Sequence, residues 1–110
     1  MVNRFEDPWA QRFLEQALPK IEKALHPQTV ILFGSRVKGK ATEDSDLDVI
    51  VVSDYFKGKP FLGRMPFMLR MVRFQRSIDF LCYSPEEFER IKGGSIVVQD
   101  ALKDGVTVTP

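Results

Sequence analysis

Cysteine and histidine are almost absent from the sequence, with one of each among 110 residues. Because an internal disulfide needs two cysteines, the lone Cys82 excludes one, and a single thiol suits a reducing cytoplasm. His26 precedes a proline and has no second histidine to join it in a metal site. No arrangement of Ser, His and Cys indicates a hydrolase triad, and we interpret Cys82 as a core residue of a strand.

Two further features are lacking: an excess of charge and a long apolar run. The 16 Lys and Arg residues nearly balance the 15 Asp and Glu residues, for a net charge of +1. Overall charge therefore predicts no nucleic-acid partner, and any electrostatic function must come from local clusters. No apolar run approaches the roughly 20 residues that span a bilayer, and no signal-peptide core begins the chain. We expect a single cytoplasmic domain, residues 1–110, without membrane contact.

The apolar residues that are present predict an α/β (α+β) domain, with a small mixed sheet and flanking helices. The first helix is expected to begin at Asp7, to kink or divide at Pro19, and to end before Pro27. Ser84 is a predicted helix cap, and Gly105 is predicted to close the last helix. Further helices are predicted at about 64–74, 85–92 and 96–104, strands at 30–33, 47–52, 77–83 and 106–109, and a loop at 54–63.

The segment TVILFGSRVKGKATEDSDLDVIVVS, residues 29–53, joins two of these strands through a Gly-rich basic turn and an acidic turn. Gly34 ends the first strand, whereas Asp46 and Asp48 open the second, so they meet only if the two strands are antiparallel. Asp79 opens the third strand and joins them only if that strand runs parallel to the second. A parallel pair needs a crossover connection, which the helix predicted between these strands supplies.

Alternation along the second strand places its two carboxylates on one face of the sheet, with apolar residues further along. Three carboxylates gathered at such a rim raise one another's pKa values, and a divalent cation removes that repulsion. Oxygen ligands favour Mg²⁺ or Mn²⁺, and two such ions about 3.5–4 Å apart can stabilise both oxygens of a phosphoryl displacement. The Gly34-Ser35 turn offers N–H groups and a hydroxyl to phosphates, and Arg36 and Lys38 add positive charge.

Three features allow more than one interpretation. Asp79 is either a third metal ligand or a carboxylate paired with a neighbouring arginine such as Arg76. The basic segment from Lys57 to Arg76 contains six Lys or Arg residues and no acid. It is either a solvated helix face or a contact for triphosphate, RNA or an acidic protein. Residues 34–40 have the spacing of a phosphate-binding loop, but Ala41 lacks the required hydroxyl and no long helix follows.

One run of the sequence resembles the signature of the DNA polymerase β-like nucleotidyltransferase superfamily and of its small prokaryotic branch, the minimal nucleotidyltransferase (MNT) family: Gly34-Ser35-Arg36, Gly39, Ala41 and Ser45-Asp46-Leu47-Asp48. The resemblance implies the nucleotidyltransferase fold and transfer of a nucleoside monophosphate, AMP from ATP, to a hydroxyl with release of pyrophosphate. It implies that Asp46 and Asp48 bind two Mg²⁺ ions, with Mn²⁺ as an alternative. Asp79 would bind one of these ions and help to deprotonate the hydroxyl. The implied nucleotide-binding residues are Gly34, Ser35, Arg36, Lys38 and Ser45.

The resemblance also implies a partner protein. Larger members of the superfamily close a second domain over the acceptor, and a 110-residue chain has no room for one. MNT proteins often form toxin–antitoxin modules with an all-helical HEPN protein, and some transfer AMP to a tyrosine of that partner. We therefore expect an antitoxin that modifies a HEPN-type protein, as a homo- or hetero-oligomer and without nucleic acid. The alternative is a non-catalytic module that neutralises this partner by direct contact.

Overall fold

Residues 5–109, the part of the chain that this computed structural model describes, contain the strands β1 (Thr29–Phe33), β2 (Leu47–Val52), β3 (Ile78–Tyr83) and β4 (Val106–Thr107). They form one sheet in the order β3-β2-β1-β4. Strand β2 pairs with β1 antiparallel and with β3 parallel, and β4 pairs with β1 antiparallel. The sheet is therefore mixed, which confirms the arrangement that the positions of the acidic residues required.

The helices surround this sheet, and α4 connects the parallel strands β2 and β3, as predicted. Their bounds are α1 (Pro8–Arg12), α2 (Leu18–Leu25), α3 (Ser35–Lys38), α4 (Arg64–Val72), α5 (Pro85–Ile91) and α6 (Ile96–Asp104). A π-helical turn, Phe13–Ala17, joins α1 to α2, and two 3-10 turns, Asp54–Phe56 and Phe61–Gly63, lie in the predicted loop. Within residues 5–109, no helix has the length and apolar character that crossing a membrane requires.

Alternating side chains along the strands divide the core into two parts, one on each face of the sheet. One face packs against α1, α2 and α4, and Val49 and Phe80 are among its buried strand residues. The other face packs against α5 and α6, where Ile50, Tyr83 and Val98 belong to one buried apolar cluster. Burying each large side chain of this kind stabilises the fold by about 1.5–3 kcal/mol. With both faces covered, the polar residues of interest lie at the strand ends.

Pro19 does not end the first helix but follows a π-helical turn. The N–H of Leu18 donates to the carbonyl of Phe13, one residue further back than in an α-helix. In an α-helix a proline ring collides with the carbonyl of the preceding turn, and the wider π turn gives the ring room. The predicted kink or division is thus realised as a π turn. The helical segment ends at His26, whose backbone is left-handed with φ 44°, immediately before Pro27.

Several predicted boundaries are wrong by one or two residues. Helix α4 stops at Val72, because Arg73 adopts a left-handed backbone with φ 50°. Strand β4 ends at Thr107, two residues earlier than predicted. Residues 35–38 form a short helix where the sequence indicated an open turn. Element ends fray, so boundaries predicted from local sequence patterns differ from the observed ones by a residue or two.

The capping predictions hold, with one difference at Gly105. Ser84 and Glu87 form the reciprocal capping box at the start of α5. Gly105 ends α6, but its backbone is extended (φ −78°) and not left-handed. A Cβ at this position would lie 2.3 Å from the carbonyl oxygen of Ala101 and 2.9 Å from that of Leu32. Close approach of α6 to β1 therefore requires glycine here.

Candidate functional site

Asp46, Asp48 and Asp79 lie at one end of the sheet, where the strand order brings them together. Asp48 and Asp79 occupy paired positions in the parallel strands β2 and β3, and Asp48 is also paired with Phe33 at the end of β1. Asp46 lies directly before β2. The side chain of Asp48 is half-buried, whereas Asp46 and Asp79 are exposed. The site is therefore an open rim with one sheltered carboxylate at its centre.

The pKa of Asp48 reflects this arrangement. It is raised from 3.8 to about 6, first by burial and then by the negative charges of Asp79 and Asp46. Burial disfavours the charged form, and two neighbouring anions disfavour it further. A cation placed among these groups would act in the opposite direction. The electrostatics thus favour binding of a positively charged ligand at this rim.

Gly34 packs directly against Asp48. Its backbone has φ +84°, and a Cβ built on it would lie 2.1 Å from Oδ2 of Asp48 and 3.0 Å from Cγ. Any other residue would displace the carboxylate or the turn. The pairing of Phe33 with Asp48 explains the contact, because Gly34 is the next residue after that pair. Glycine at position 34 is therefore a requirement of the site and not only of the turn.

Ser35 and Lys38 lie in α3, immediately after Gly34. Among the described residues, the hydroxyl of Ser35 makes no hydrogen bond, so it is free to bind a ligand. The Nζ of Lys38 is 3.8 Å from Oδ2 of Asp104, and both side chains are exposed. Such a surface ion pair contributes little stability, so Lys38 can exchange it for a bound anion at small cost. Nucleotide binding by Ser35 and Lys38 stays a prediction.

Arg36 and Ser45 are used differently by the fold. Arg36 is only 6% exposed. Its Nε donates to the carbonyl oxygen of Ser45 at 2.9 Å, and its Nη1 donates to Oδ2 of Asp7 at 2.9 Å. The Oγ of Ser45 accepts from the N–H of Thr42 at 2.9 Å. In this geometry both side chains hold the acidic turn together, and their contact with a nucleotide stays a prediction.

Sequence analysis missed the second role of Asp7. It was predicted as the cap of α1, and its Oδ1 does accept from the N–H groups of Trp9 and Ala10. The ion pair of its Oδ2 with Arg36 joins residues far apart in the sequence. No spacing rule indicates such a pair. Only the buried arginine in the signature, which needs a partner for its charge, could have suggested one.

The donor set fits a divalent cation in chemistry, although it is not preassembled around one. Within residues 5–109, no group of three or more His, Cys, Asp or Glu side chains is positioned to hold a metal ion. Burial of Asp48, and after it the negative charges of Asp79 and Asp46, nevertheless raise the pKa of Asp48. Hard oxygen ligands of this kind suit Mg²⁺ or Mn²⁺. The predicted metal sites at Asp46, Asp48 and Asp79 stay predictions.

Two cavities flank the glycine turn. One, of about 220 Å³, is lined by Phe33, Gly34, Lys38, Val97 and Asp100, between the turn and α6. The other, of about 480 Å³, has Arg36, Lys38 and Gly39 of the turn among its lining residues and also borders residues 5–7. The three carboxylates line neither cavity. The turn therefore offers recesses beside the rim, and the rim itself is open to solvent.

The basic segment is not one charged face. Arg64 is buried and forms a bidentate ion pair with Glu87, at 2.6 and 3.1 Å. Arg76 donates to the carbonyl of Glu43 and lies over the ring of Trp9, so it does not pair with Asp79 among the described residues. Structural arginines thus account for part of the basic run. The exposed cations of the segment are Lys57, Lys59, Arg70 and Arg73, and of these only Arg70 lies in α4.

Known proteins resemble this chain in sequence family and in fold. The family profile of the nucleotidyltransferase domain matches residues 14–107. The fold is similar to that of a proposed nucleotidyltransferase from Sulfolobus solfataricus, with TM-score 0.57 and 23% identity, over 90% of this chain and 81% of that one.

The fold is also similar to those of two Arabidopsis thaliana proteins, BolA1 and the BolA domain of SufE1. Their TM-scores are 0.55 and 0.52, and their identities are 18% and 19%. These matches cover 67% and 66% of this chain, and 93% and 92% of the other chains. At such identities the likeness concerns the fold alone. No curated protein matches the sequence.

Proposed function

This chain belongs to the nucleotidyltransferase domain family, and we propose that it transfers AMP from ATP to a hydroxyl group of a partner protein, as an Mg²⁺-dependent member of the MNT branch. The observation that carries this proposal is the position of Asp48, paired with Asp79 on one side and packed against Gly34 on the other. Metal-assisted nucleotidyl transfer needs carboxylates beside a phosphate-binding turn.

The chain's own residues have separate roles in the proposed reaction. The acceptor oxygen bonds to the α-phosphorus, the bond from that phosphorus to the bridging oxygen breaks, and pyrophosphate leaves. Asp79 would take the proton of the acceptor hydroxyl, because it is exposed at the edge strand of the sheet. Ser35 and the backbone of Gly34 would hold the distal phosphates, and Lys38 would add positive charge.

Two Mg²⁺ ions, or Mn²⁺, would be held by Asp46 and Asp48, and one of them also by Asp79. When bound, they supply positive charge to the phosphate oxygens, which carry the developing charge of the reaction. The electrostatics support the proposal, because burial and then the charges of Asp79 and Asp46 raise the pKa of Asp48 to about 6, and a bound cation would lower it.

We propose that the acceptor belongs to another protein, because the carboxylate rim is open and no element of residues 5–109 covers it. In the toxin–antitoxin setting this partner would be a HEPN-type helical protein in the cytoplasm, and the chain would act as a single-domain antitoxin. The partner would then complete the acceptor side of the site. The preference for ATP over other nucleotides rests on the resemblance alone.

The test is the intact mass of the partner. The protein, a helical protein from the neighbouring reading frame, ATP and MgCl₂ are incubated together. The partner should gain the mass of one or more AMP units. Asp48→Asn should abolish the gain, whereas Asp54→Asn, an exposed aspartate beyond the other end of β2, should not. No gain with any of the four NTPs would rule out the proposed transfer.

A second candidate function is contact without catalysis, and one observation favours it. Four apolar side chains near the start of α4 are solvent-exposed: Phe61, Leu62, Met65 and Leu69, with Leu62 89% exposed. We call them the 61–69 surface. An apolar patch of this kind is typical of a protein interface. Such a module would neutralise its partner by direct contact.

The double variant Asp46→Asn, Asp48→Asn separates the two candidates. It removes both charges from the rim and leaves the 61–69 surface intact. Full neutralisation of the partner by this variant would establish the binding module. Lost neutralisation with an intact complex would establish the enzyme.

A further inference from the structure

We infer that Arg36 is a positioning residue, which holds the acidic turn so that Asp46 and Asp48 face a metal ion together, and that it does not bind phosphate. This inference rests on the proposed function, because it concerns the presentation of the proposed metal ligands. It reassigns a residue whose charge and place beside Ser35 would otherwise suggest contact with the nucleotide.

The guanidinium of Arg36 is engaged on several sides. It donates to four oxygens: the Oδ2 of Asp7 and the carbonyl oxygens of Thr42, Glu43 and Ser45. The distances are 2.9, 3.1, 3.4 and 2.9 Å respectively. Because the side chain is also buried, a phosphate could reach it only if the turn opened. A planar fork of donors suits this task, since a single ammonium group cannot reach acceptors spread over such an arc.

The three carbonyl oxygens belong to the turn that leads directly into Asp46. Asp46 itself lies outside β2, so strand pairing does not place it. Backbone hydrogen bonding between the strands begins one residue later, where the N–H of Leu47 donates to the carbonyl of Ser77 at 3.0 Å. On the preceding side, the carbonyl of Ser45 is held by Arg36. Arg36 holds the residue before Asp46 and the strand pairing holds the residue after it, so the backbone of Asp46 is held on both sides.

Asp7 connects this turn to the first helix. Its Oδ1 caps α1 through the N–H groups of Trp9 and Ala10, at 2.9 and 3.0 Å. Its Oδ2 accepts from Arg36, so one carboxylate serves both the helix and the turn. The charge of Asp7 compensates that of the buried guanidinium, which would otherwise be costly to keep away from water. The start of the first helix is thus linked to the carboxylate rim.

Three variants test the inference. Arg36→Gln removes the guanidinium, and Arg36→Lys keeps only its charge. Asp7→Asn removes the ion pair while keeping a good helix cap, because asparagine caps as well as aspartate. Arg70→Gln, on the exposed face of α4, is the matched control for a lost arginine charge.

Three measurements that do not depend on turnover are made on each variant. Mn²⁺ affinity is measured by titration, from the electron paramagnetic resonance signal of the free ion. Backbone hydrogen exchange is followed in residues 40–46, where the N–H of Thr42 bonds to Ser45 and that of Lys40 bonds to the carbonyl of Ser35. ATP affinity, measured without metal, completes the set.

Both Arg36 variants should weaken Mn²⁺ binding about 10–100-fold, as losses of outer residues around metal ligands do. Both should speed exchange in residues 40–46 and leave metal-free ATP affinity unchanged. Asp7→Asn should have a smaller effect in the same direction, and combining it with Arg36→Gln should add little, because both act through one link. Arg70→Gln should change none of these values.

Unchanged Mn²⁺ affinity in both Arg36 variants would overturn the inference. So would a loss of metal-free ATP affinity in those variants, since that is the signature of a phosphate ligand. If Arg36→Gln does not fold, Asp7→Asn decides, because it keeps the arginine and the helix cap. Wild-type protein that binds no Mn²⁺ would contradict the proposed function, while faster exchange in the variants would still show that Arg36 holds the turn.

Discussion

The carboxylate of Asp48 lies so close to Gly34 that a Cβ on the glycine would be 2.1 Å from Oδ2. The contact joins the end of β1 to the start of β2, and it follows from the pairing of Phe33 with Asp48. Asp48 is sheltered there, which raises its pKa, and its neighbours Asp46 and Asp79 remain exposed. The glycine turn and the carboxylates are therefore one structural unit.

Gly34→Ala should abolish nucleotidyl transfer, because the new methyl group would displace the carboxylate of Asp48. Gly58→Ala is the matched control, since Gly58 also has positive φ but has no atom within 4 Å of a built Cβ. A residue other than glycine in the backbone conformation of Gly34 costs about 1–3 kcal/mol by itself. Gly34→Ala should lower the free energy of unfolding by more than Gly58→Ala does, as measured by urea denaturation. Equal effects of the two substitutions on stability and activity would contradict the contact.

The raised pKa of Asp48 sets a pH dependence. A carboxyl with a pKa of about 6 in the folded state and 3.8 as its ordinary value holds its proton more tightly when folded. Its contribution to stability therefore falls as the pH rises from about 4 to about 6. In the presence of a chelator, Asp48→Asn should melt at a higher temperature than the wild type at pH 7. The difference should shrink as the pH falls below 6 and should vanish below 3.8, where the wild-type carboxyl is protonated in both states.

Mg²⁺ should reverse that order. A ligand that binds only the folded state raises the melting temperature, and the wild type keeps the charged carboxylate that binds it. Mn²⁺ affinity of the wild type should increase with pH through a midpoint near 6, where Asp48 loses its proton. If Mg²⁺ does not change the melting temperature of the wild type at pH 7, Asp48 is not a ligand of the ion. Asp54→Asn serves as the control for the loss of an exposed aspartate.

Arg64 and Glu87 should contribute stability without contributing to transfer. Arg64 also donates to the carbonyl oxygens of Cys82 and Phe56, so it ties β3 and the predicted loop to α5. Arg64→Gln should cost about 2–3 kcal/mol in urea denaturation, whereas exposed Arg70→Gln should cost about 0.5 kcal/mol or less.

The ion pair between Arg64 and Glu87 should persist in mild acid. Hydrogen bonds from Arg64 lower the pKa of Glu87 from 4.5 to about 2. The stabilisation is therefore present above pH 4.5 and is lost as the pH falls from 4.5 toward 2. Glu87→Gln should remove this part of the acid dependence in a pH titration of stability. An unchanged acid profile would mean that the pair is not formed in solution.

Leu62→Glu tests the 61–69 surface. A charge placed there should weaken the complex with the partner at least about tenfold, because a desolvated carboxylate would face apolar atoms. Metal-dependent ATP binding should not change, since the surface lies away from the carboxylate rim. Leu102→Glu, on the exposed face of α6, is the control for a new charge in place of an apolar side chain. Equal affinity of both variants and the wild type would place the interface elsewhere.

Much of the fold could be predicted from local patterns. The bounds of β2, the capping box at Ser84 and the crossover helix follow from alternation and helix-cap residues. The π turn before Pro19 and the extended backbone of Gly105 could not be predicted in this way. Each depends on how neighbouring elements pack, which no short stretch of sequence encodes.

The sequence by itself determined the types of group at the rim and the relative directions of the three strands that bring them together. One mixed sheet brings these groups together. Two of the aspartates lie at the start of β2, the other aspartate lies at the start of β3, and the glycine follows the end of β1. Only the tertiary structure decided which of these groups is sheltered and which side chains hold them. Burial of Asp48 against Gly34, and the link from Asp7 through Arg36 to the acidic turn, join residues that are distant in the chain. Such contacts arise from packing, and packing depends on the whole chain at once.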